Sequence, residues 1–569
     1  YLVNITTIAR CFETYAESPF VSIINRLKPQ ANTEHIHLGN LTGQFLDDTV
    51  HDRDIPFAQS MTRYFQMNAL EMLACEGFQS QQQAEAFYEK ARAQRANIRK
   101  LIGQDLRQSI ARYDSAHVTL EPTFFSDMLG IQGRLDFLYR HKKQTIIIEQ
   151  KSGKGDFVPP SSPSYDPEVP KPQEKHLVQL LLYRALLTYE FNLHSEELSH
   201  IMLLYSRYQQ GLVSVGQMPA LMLRAIRMRN LLAWCEIHHA QEGYAFLSTL
   251  SPEKLNRKQV GGILWNIYVR PELERLLLPI HQASPLERAY FLRFMQFLAQ
   301  ERLLSKVGSK TKEDAGFASK WLSSLEEKRA AGNIYEGLIL DDFQQDDDGV
   351  TGLMARFPQQ QSADTSNFRR GDIVLLYPYK EHTEPRVCAQ MVIRGSIEDI
   401  STEGIRLTLR NGQTDPKVFA KGSHTYWAIE HDLYDSSIDN LYSGLHRFLC
   451  APQQRRSLLL SEREPVTDNS ISLRGDYGAF NNLVIRCKQA RELFLIIGPP
   501  GTGKTSFGML NLVKEQLLEE DTHILLISYT NRAVDEMCGK LQEEGISFLR
   551  IGSPLSCSPL HREQLLSNK

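Results

Sequence analysis

Hydrophobic spacing divides the chain into stretches of two kinds. Up to about residue 118 apolar positions recur at helical intervals, and Gln81 to Ile102, rich in Ala, Gln, Glu, Lys and Arg, is the clearest solvated helix. From Glu121 the period shortens. Gly133 to Tyr139, a polar turn at His141 to Gln144, and Thr145 to Lys151 predict two short strands joined as a hairpin. Residues 153–175 hold Gly153, Gly155 and six prolines, which predicts a surface excursion. A helix that is apolar nearly all round, as a packed helix needs to be, begins at Lys175.

Residues 218–330 return to helical spacing, with Leu286 to Leu304 a long amphipathic segment. The acidic run Asp341, Asp342, Asp346, Asp347 and Asp348, with the Gln- and Ser-containing stretch 358–366, predicts a solvated linker. Four strand-sized runs follow: Gly371 to Tyr377, Cys388 to Arg394, Ser396 to Ile400 and Ile405 to Leu409. With turns at Gly395 and Gly404 they predict a small β-barrel. Beyond about residue 470 an α/β segment runs to Lys569, and no internal repeat is detected. The expected division is 1–217, 218–340 (helical stalk), 341–367 (linker), 368–435 (barrel) and 436–569.

The length, 569 residues, suits three or four domains at roughly 100–200 residues each. An apolar share of 42% and a charged share of 23% exclude wholesale disorder and a fibrous chain. No apolar run approaches the ~18 residues of a membrane span, so no membrane partner is expected. A net charge of −3 means that any nucleic-acid contact must come from local patches. Tyr377, Tyr379, Lys380, Arg386 and Arg394 form one aromatic and basic set, read as solvated surface with a nucleic-acid face as the alternative. The eight cysteines are scattered without a CxxC pair, as reduced cytosolic thiols are. The chain starts at Tyr1 rather than Met, with a polar opening stretch, and reads as a piece of a longer protein.

Candidate chemistry concentrates in two places. The first is Asp136, then Glu149 thirteen residues on, Lys151, and Gln179 and Tyr183 on the following helix. Two carboxylates from adjacent strands can hold one or two hard divalent cations, Mg²⁺ or Mn²⁺, which activate water and stabilise charge on a phosphate. Lys151 lies two residues beyond Glu149 and so on the same side of its strand. Gln179 and Tyr183, four apart, share a helical face from which they can fix a phosphodiester or brace Lys151. This set resembles the RecB-like branch of the PD-(D/E)XK nucleases, whose pattern is GxxD, ExK after a short hairpin, then QxxxY. The resemblance implies catalysis by Asp136, Glu149, Lys151, Gln179 and Tyr183, with metal held at Asp136, Glu149 and Gln150. It also implies a further ligand on an upstream helix. Gly39 to Asp48 looks like that helix, with Asp47, Asp48 or His51 as substitutes for the usual residue. The four-cysteine iron–sulfur staple of many such fusions is not matched, so no cluster is expected; its lack points to a bacterial cytosolic member.

The second place is Gly498-Pro499-Pro500-Gly501-Thr502-Gly503-Lys504-Thr505, after the apolar run Leu493 to Ile497, expected as a strand, and before a helix from about Ser506. That is the context a Walker A motif requires: backbone N–H groups close on phosphates, Lys504 reaches the β and γ phosphates, and Thr505 ligates Mg²⁺, with ATP as the nucleotide. A second expected strand, Ile524 to Ile527, leads into Ser528 to Met537, which resembles motif Ia of superfamily 1 helicases. By that resemblance Tyr529, Thr530 and Asn531 contact the backbone of a single strand. The chain reaches Lys569 before a Walker B motif, so 436–569 reads as the start of an incomplete RecA-like domain.

The whole reads as an α/β multidomain chain: PD-(D/E)XK core, helical stalk, small β-barrel, partial RecA-like P-loop domain. Its order resembles the helicase-nucleases that trim replication flaps and resect DNA ends. The resemblance implies a metal-dependent nuclease on single-stranded or flap DNA, coupled to ATP-driven translocation in replication, repair or defence. Two alternatives stand beside it: a degenerate nuclease fold that clamps nucleic acid for the motor, and an RNA helicase.

Overall fold

The structure, a computed structural model, describes all residues except 30, 111–112, 194–196, 310–315, 347–348, 359–365, 389, 414–415, 420–424, 433–435, 500, 553–556 and 569. The chain forms two compact units, Tyr1–Cys450 and Ala451–Lys569.

The first unit opens with β1 (Val3–Asn4), α1 (Ile5–Ala9) and α2 (Phe20–Leu27), then α3 (Glu34–Val50) and α4 (Gln81–Lys100). The strands β2 (Val118–Leu120), β3 (Thr123–Ser126), β4 (Ile131–Arg134), β5 (Phe137–His141) and β6 (Gln144–Lys151) follow, then α5 (Glu174–Glu190), β7 (Leu198–Tyr205) and β8 (Leu212–Ser214). One sheet has the order β8-β7-β6-β5-β2, with β6 and β7 parallel across the α5 crossover. Thr145 to Ile148 on β6 are all buried because both faces of this sheet are covered. Ile147 joins the core beneath α1 and α5, with Val178, Leu182 and Leu186. Ile146 and Ile148 enter the opposite core, with Leu41, Phe45 and Phe87 of α3 and α4. The pleat puts Glu149 and Lys151 on the Ile147 side, facing α5.

The helices α6 (Pro219–Glu242), α7 (Arg270–Gln282) and α8 (Pro285–Val307) precede the barrel strands β9 (Ile334–Asp346), β10 (Gly349–Arg356), β11 (Ile373–Lys380), β12 (Met391–Ile400), β13 (Gly404–Gln413) and β14 (Thr425–His431). Six antiparallel strands close in the order β12-β11-β14-β9-β10-β13, with β13 returning to β12. Three sequence expectations fail here. The acidic stretch from Asp341 is part of strand β9, not a linker, because Asp341 pairs with Arg356 at the end of the neighbouring strand β10 and Asp342 with Arg406 of β13, one strand further on, at 2.9 Å. Residues 349–356 of that linker form strand β10, while Asp347, Asp348 and 359–365 lie outside the described residues. Gly395 is no turn: it sits within β12, opposite Leu409. The expected aromatic surface is interior, since Tyr377 and Tyr379 are buried and their hydroxyls bond Glu430 and the Gly337 N–H.

The domain boundaries shift as well. Helix α9 (Ser436–Cys450), expected in the P-loop region, supplies Tyr442 and Leu449 to one core with Ile24 and Leu27 of α2, Leu276 of α7 and Met295 of α8. Strand β12 also pairs with β3, Met391 opposite Phe124 and Val392 opposite Thr123, so the barrel sheet runs on through β3, β4 and β1.

The second unit contains α10 (Asn481–Gln489), α11 (Leu510–Gln516) and α12 (Asn531–Glu543) around Leu510, Val513 and Leu541. The runs Leu493 to Ile497 and Ile524 to Ile527 are not strands. A ladder needs a neighbour, and among the described residues of this unit no sheet forms; Ile497 is 96% exposed.

Candidate functional site

Asp136 lies in the bend between β4 and β5, and Glu149 and Lys151 stand at the end of β6. Register brings them together: Phe137 pairs with Ile148, so the residue before one meets the residue after the other. The Gln150 N–H donates to Asp136 Oδ2 at 2.6 Å and fixes that carboxylate. Lys151 Nζ donates to Glu149 Oε1 at 2.8 Å and to Gln179 Oε1 at 3.1 Å, and Gln179 also donates to Glu149. Four expected residues thus form one cluster at the mouth of β6. Tyr183 is the exception. Its ring passes under Gly133, and its hydroxyl donates to the Arg134 carbonyl and shares a hydrogen bond with Gln179, so it props the bend that carries Asp136 and the cluster from behind and is not among the residues that line the cleft.

The electrostatics are those of a cation site. Glu149 is 2% exposed, and its Oε2 has no hydrogen-bond partner among the described residues. Burial, then the adjacent Asp136 carboxylate, push the Glu149 carboxyl up to about 8. Asp136 is raised by burial too, with Lys151 opposing. Burial works against the Lys151 ammonium, but Glu149 and Asp136 outweigh it and hold its pKa above the usual lysine value. Two facing buried carboxylates with an unpaired oxygen fit a hard divalent ion. Among the described residues no group of three or more His, Cys, Asp or Glu is gathered for a metal.

The cleft has two adjoining lobes of about 700 and 690 Å³. Of the upstream candidates, Asp47 of α3 lines the first, its carboxyl raised well above the ordinary range by burial and then by Glu121; Asp48 points into the core and His51 caps the helix end. Sequence reading missed Glu121, paired with Arg134 at 3.1 Å, and Arg10, which follows α1 and lines the second lobe. Arg10 reaches the site because β1 pairs with β4, a two-residue ladder with no sequence signature. Met391, Val392 and Ile393 of barrel strand β12 wall the same lobe. His176 lines the first lobe, and its position three residues before Gln179 was the signal available.

In the second unit Gly501 and Gly503 adopt φ of +79° and +77°, the left-handed conformation that a tight phosphate loop asks of glycine. Lys504 folds back, its Nζ donating to the carbonyls of Gly498 and of Pro499, the latter at 2.8 Å, while Thr502 Oγ1 donates to Pro499 O at 2.8 Å. Lys504–Met509, which includes Thr505, forms a wide first turn that runs into α11; Pro500 lies outside the described residues. Thr530 caps α12 by accepting the Ala533 N–H at 3.2 Å, Asn531 accepts from Arg550, and Tyr529 is 87% exposed. The loop chemistry fits a nucleotide phosphate, with Lys504 released from its own carbonyls.

Comparison with known proteins bears on both places. Residues 13–255 match the PD-(D/E)XK nuclease superfamily and residues 481–568 match an AAA domain. The DNA replication ATP-dependent helicase/nuclease JHS1 of Arabidopsis thaliana is 33% identical over 202 residues, 32% of this chain and 14% of the relative. The helicase/nuclease dna2 of Schizosaccharomyces pombe is 30% identical over 156 residues, 26% and 11% respectively. DNA2 of Bos taurus is 23% identical over 480 residues, covering 76% of this chain and 41% of the relative. Residues 13–255 are thus similar to PD-(D/E)XK nucleases and residues 481–568 to AAA domains. The chain's homologues are the helicase/nucleases of the JHS1 and DNA2 kind, of whose length these matches span well under half. No helix among the described residues is long and apolar enough to cross a membrane.

Proposed function

We propose that the cleft is a divalent-metal-dependent nuclease site for single-stranded or flap DNA, coupled in the whole protein to ATP-driven superfamily 1 translocation in replication or repair. The observation that carries this is the buried Asp136–Glu149 pair, one Glu149 oxygen unpartnered among the described residues, lining a cleft that Lys151 and Gln179 also line. Asp136 and Glu149 would hold Mg²⁺ or Mn²⁺, which when bound supplies an activated water and neutralises charge at the phosphate. Lys151 has three N–H bonds; Glu149 and Gln179 take two, and the third is free for a phosphate oxygen. Gln179 locks Glu149 to Lys151, and Tyr183 holds the Asp136 bend, so the groups are oriented before substrate arrives. In the second unit the Walker A residues would bind ATP, and Tyr529 to Asn531 one strand. Lys504→Ala is expected to remove nucleotide binding, read by the fluorescence of a labelled ATP analogue.

The Arg10 side chain has no ion-pair or hydrogen-bond partner among the described residues and lines the cleft, as a phosphate clamp should. Arg10→Gln is expected to lower the slope of log Kd against log[salt] for a single strand by about 0.7, the value of one phosphate contact.

That no third His, Cys, Asp or Glu joins Asp136 and Glu149 among the described residues favours one competing reading, a clamp that binds strands without cutting. End-labelled single strand, flap, duplex and RNA of one sequence, incubated with Mn²⁺, separate the readings. Cut single strands and flap arms with intact duplex support the nuclease; strands bound but uncut support the clamp; preference for RNA removes DNA as the substrate.

A further inference from the structure

His176 lies in the first turn of α5 and lines the same lobe as Asp136 and Lys151. Its Nδ1 is 2.8 Å from the hydroxyl of Tyr205, which also accepts the Gln173 N–H at 3.1 Å. Tyr205 is fully buried at the end of β7, opposite Lys151 in the ladder. A phenol carries one proton. Were Nδ1 the protonated nitrogen, the phenol would accept twice and its own proton would have no acceptor among the described residues. Donating that proton to Nδ1 satisfies all three groups. The ring is thereby fixed as the tautomer with Nδ1 bare and the proton on Nε2, and Nε2 has no partner among the described residues.

The charged and titratable groups that share the lobe with the ring are Lys151 on β6 and Lys154 just after it, Lys175 on its own helix, and Asp136, Asp47, Glu121 and Arg134 along the lobe, while Tyr205 on β7 bonds the ring. Burial, followed by Lys151 and Lys175, pushes the imidazolium down to about 3. The ring is therefore a neutral N–H donor throughout the neutral range, held in one orientation by a buried phenol.

We propose that His176 is a substrate-binding residue whose Nε2–H donates to a phosphate oxygen of the strand in the cleft, next to the phosphate that Lys151 contacts. The proposal rests on the reading above only in taking a nucleic-acid strand as the occupant. A donor of fixed tautomer costs little ordering when the strand arrives. Because the ring is neutral, the contact adds a hydrogen bond without adding to the salt dependence, unlike Arg10 or Lys151.

The test uses the full chain and single-stranded DNA oligonucleotides, each carrying one methylphosphonate, which removes the charged acceptor at a single phosphate. Affinity is read by fluorescence anisotropy in Ca²⁺ at pH 6 and pH 8, and single-turnover cutting in Mn²⁺. His176→Ala is expected to weaken binding about tenfold, the effect of losing one hydrogen bond to a charged group. The methylphosphonate position that costs the wild type a similar factor should cost His176→Ala nothing further. His176→Gln, which keeps an N–H donor, should recover part of the loss, and its methylphosphonate profile decides the matter should the alanine variant unfold. The loss should be equal at the two pH values, whereas a cationic histidine contact would fade above its pKa. Wild-type affinity in His176→Ala, or weakened binding with the wild-type methylphosphonate profile, overturns the proposal. Wild-type protein that binds but does not cut sinks the nuclease reading and leaves the anisotropy arm to decide on His176; wild type that binds no strand overturns both.

Discussion

Lys151→Gln is expected to slow single-turnover cleavage of single-stranded DNA by about a hundred- to a thousandfold, with strand affinity changed only a few-fold. The magnitude is that of removing one preorganised donor from developing charge in a site partly closed to water. The geometry sets the split between rate and affinity. Lys151 is held by Glu149 and Gln179 before substrate arrives, so its charge is already in place and matters most when charge builds on the phosphate. Glutamine keeps much of the stem and one donor while removing the cation, so a variant that cut at the wild-type rate would show that the third N–H does not face the reacting phosphate. Rates from rapid quench and affinities from anisotropy, measured on the same oligonucleotide, check the two halves.

Glu236→Gln is expected to destabilise the first unit by about 3–5 kcal/mol, the usual consequence of removing one member of a buried ion pair. Glu236 on α6 is buried and pairs with Arg26 of α2, while Arg302 of α8 lies within 4.0 Å and also bonds Asp439 of α9 at 2.8 Å. Glu236, the buried member, therefore shares two guanidiniums with the more exposed Asp439 where four helices meet. Although burial opposes ionisation, Arg26 and Arg302 outweigh it and hold the Glu236 carboxyl at about 2. The sign follows. A group whose pKa is depressed on folding contributes stability that is complete above its unfolded value of about 4.5 and lost as pH falls towards 2. Urea unfolding at pH 7 and pH 3 checks both statements: the gap between wild type and Glu236→Gln should narrow at the lower pH, and a gap that stays constant would remove the ion pair as its cause.

The site was legible because its parts are local and regular. The ExK strand carries Glu149 and Lys151 at period two, and the hairpin before it returns Asp136 alongside, so sequence spacing became spatial proximity. Tyr183 misled because four-residue spacing on a helix fixes direction but not reach; a long side chain beside Gly133 goes under the sheet rather than into the cleft. Distant pairings misled most. The acidic segment from Asp341 read as solvated because its partners Arg356 and Arg406 lie 15 and 64 residues away, invisible to any local window. In the same way, the pairing of β12 with β3 joins residues some 270 apart and makes a barrel strand the wall of the cleft, which no linear division into domains anticipates. Leu493 to Ile497 and Ile524 to Ile527 show the converse: apolar runs suited to a buried sheet remain unpaired where no sheet surrounds them.

The proposed function requires Asp136 and Glu149 to hold a divalent ion for strand cleavage. The most direct test is an end-labelled single-stranded flap incubated with Mg²⁺, Mn²⁺ or EDTA, using wild type, Asp136→Ala and Glu149→Ala, with binding of the same flap measured alongside. Products in either metal, none in EDTA and none from the two variants despite retained binding is the predicted result. Cleavage that persists in EDTA or in the variants, or a wild type that binds the flap and leaves it whole in both metals, would contradict it.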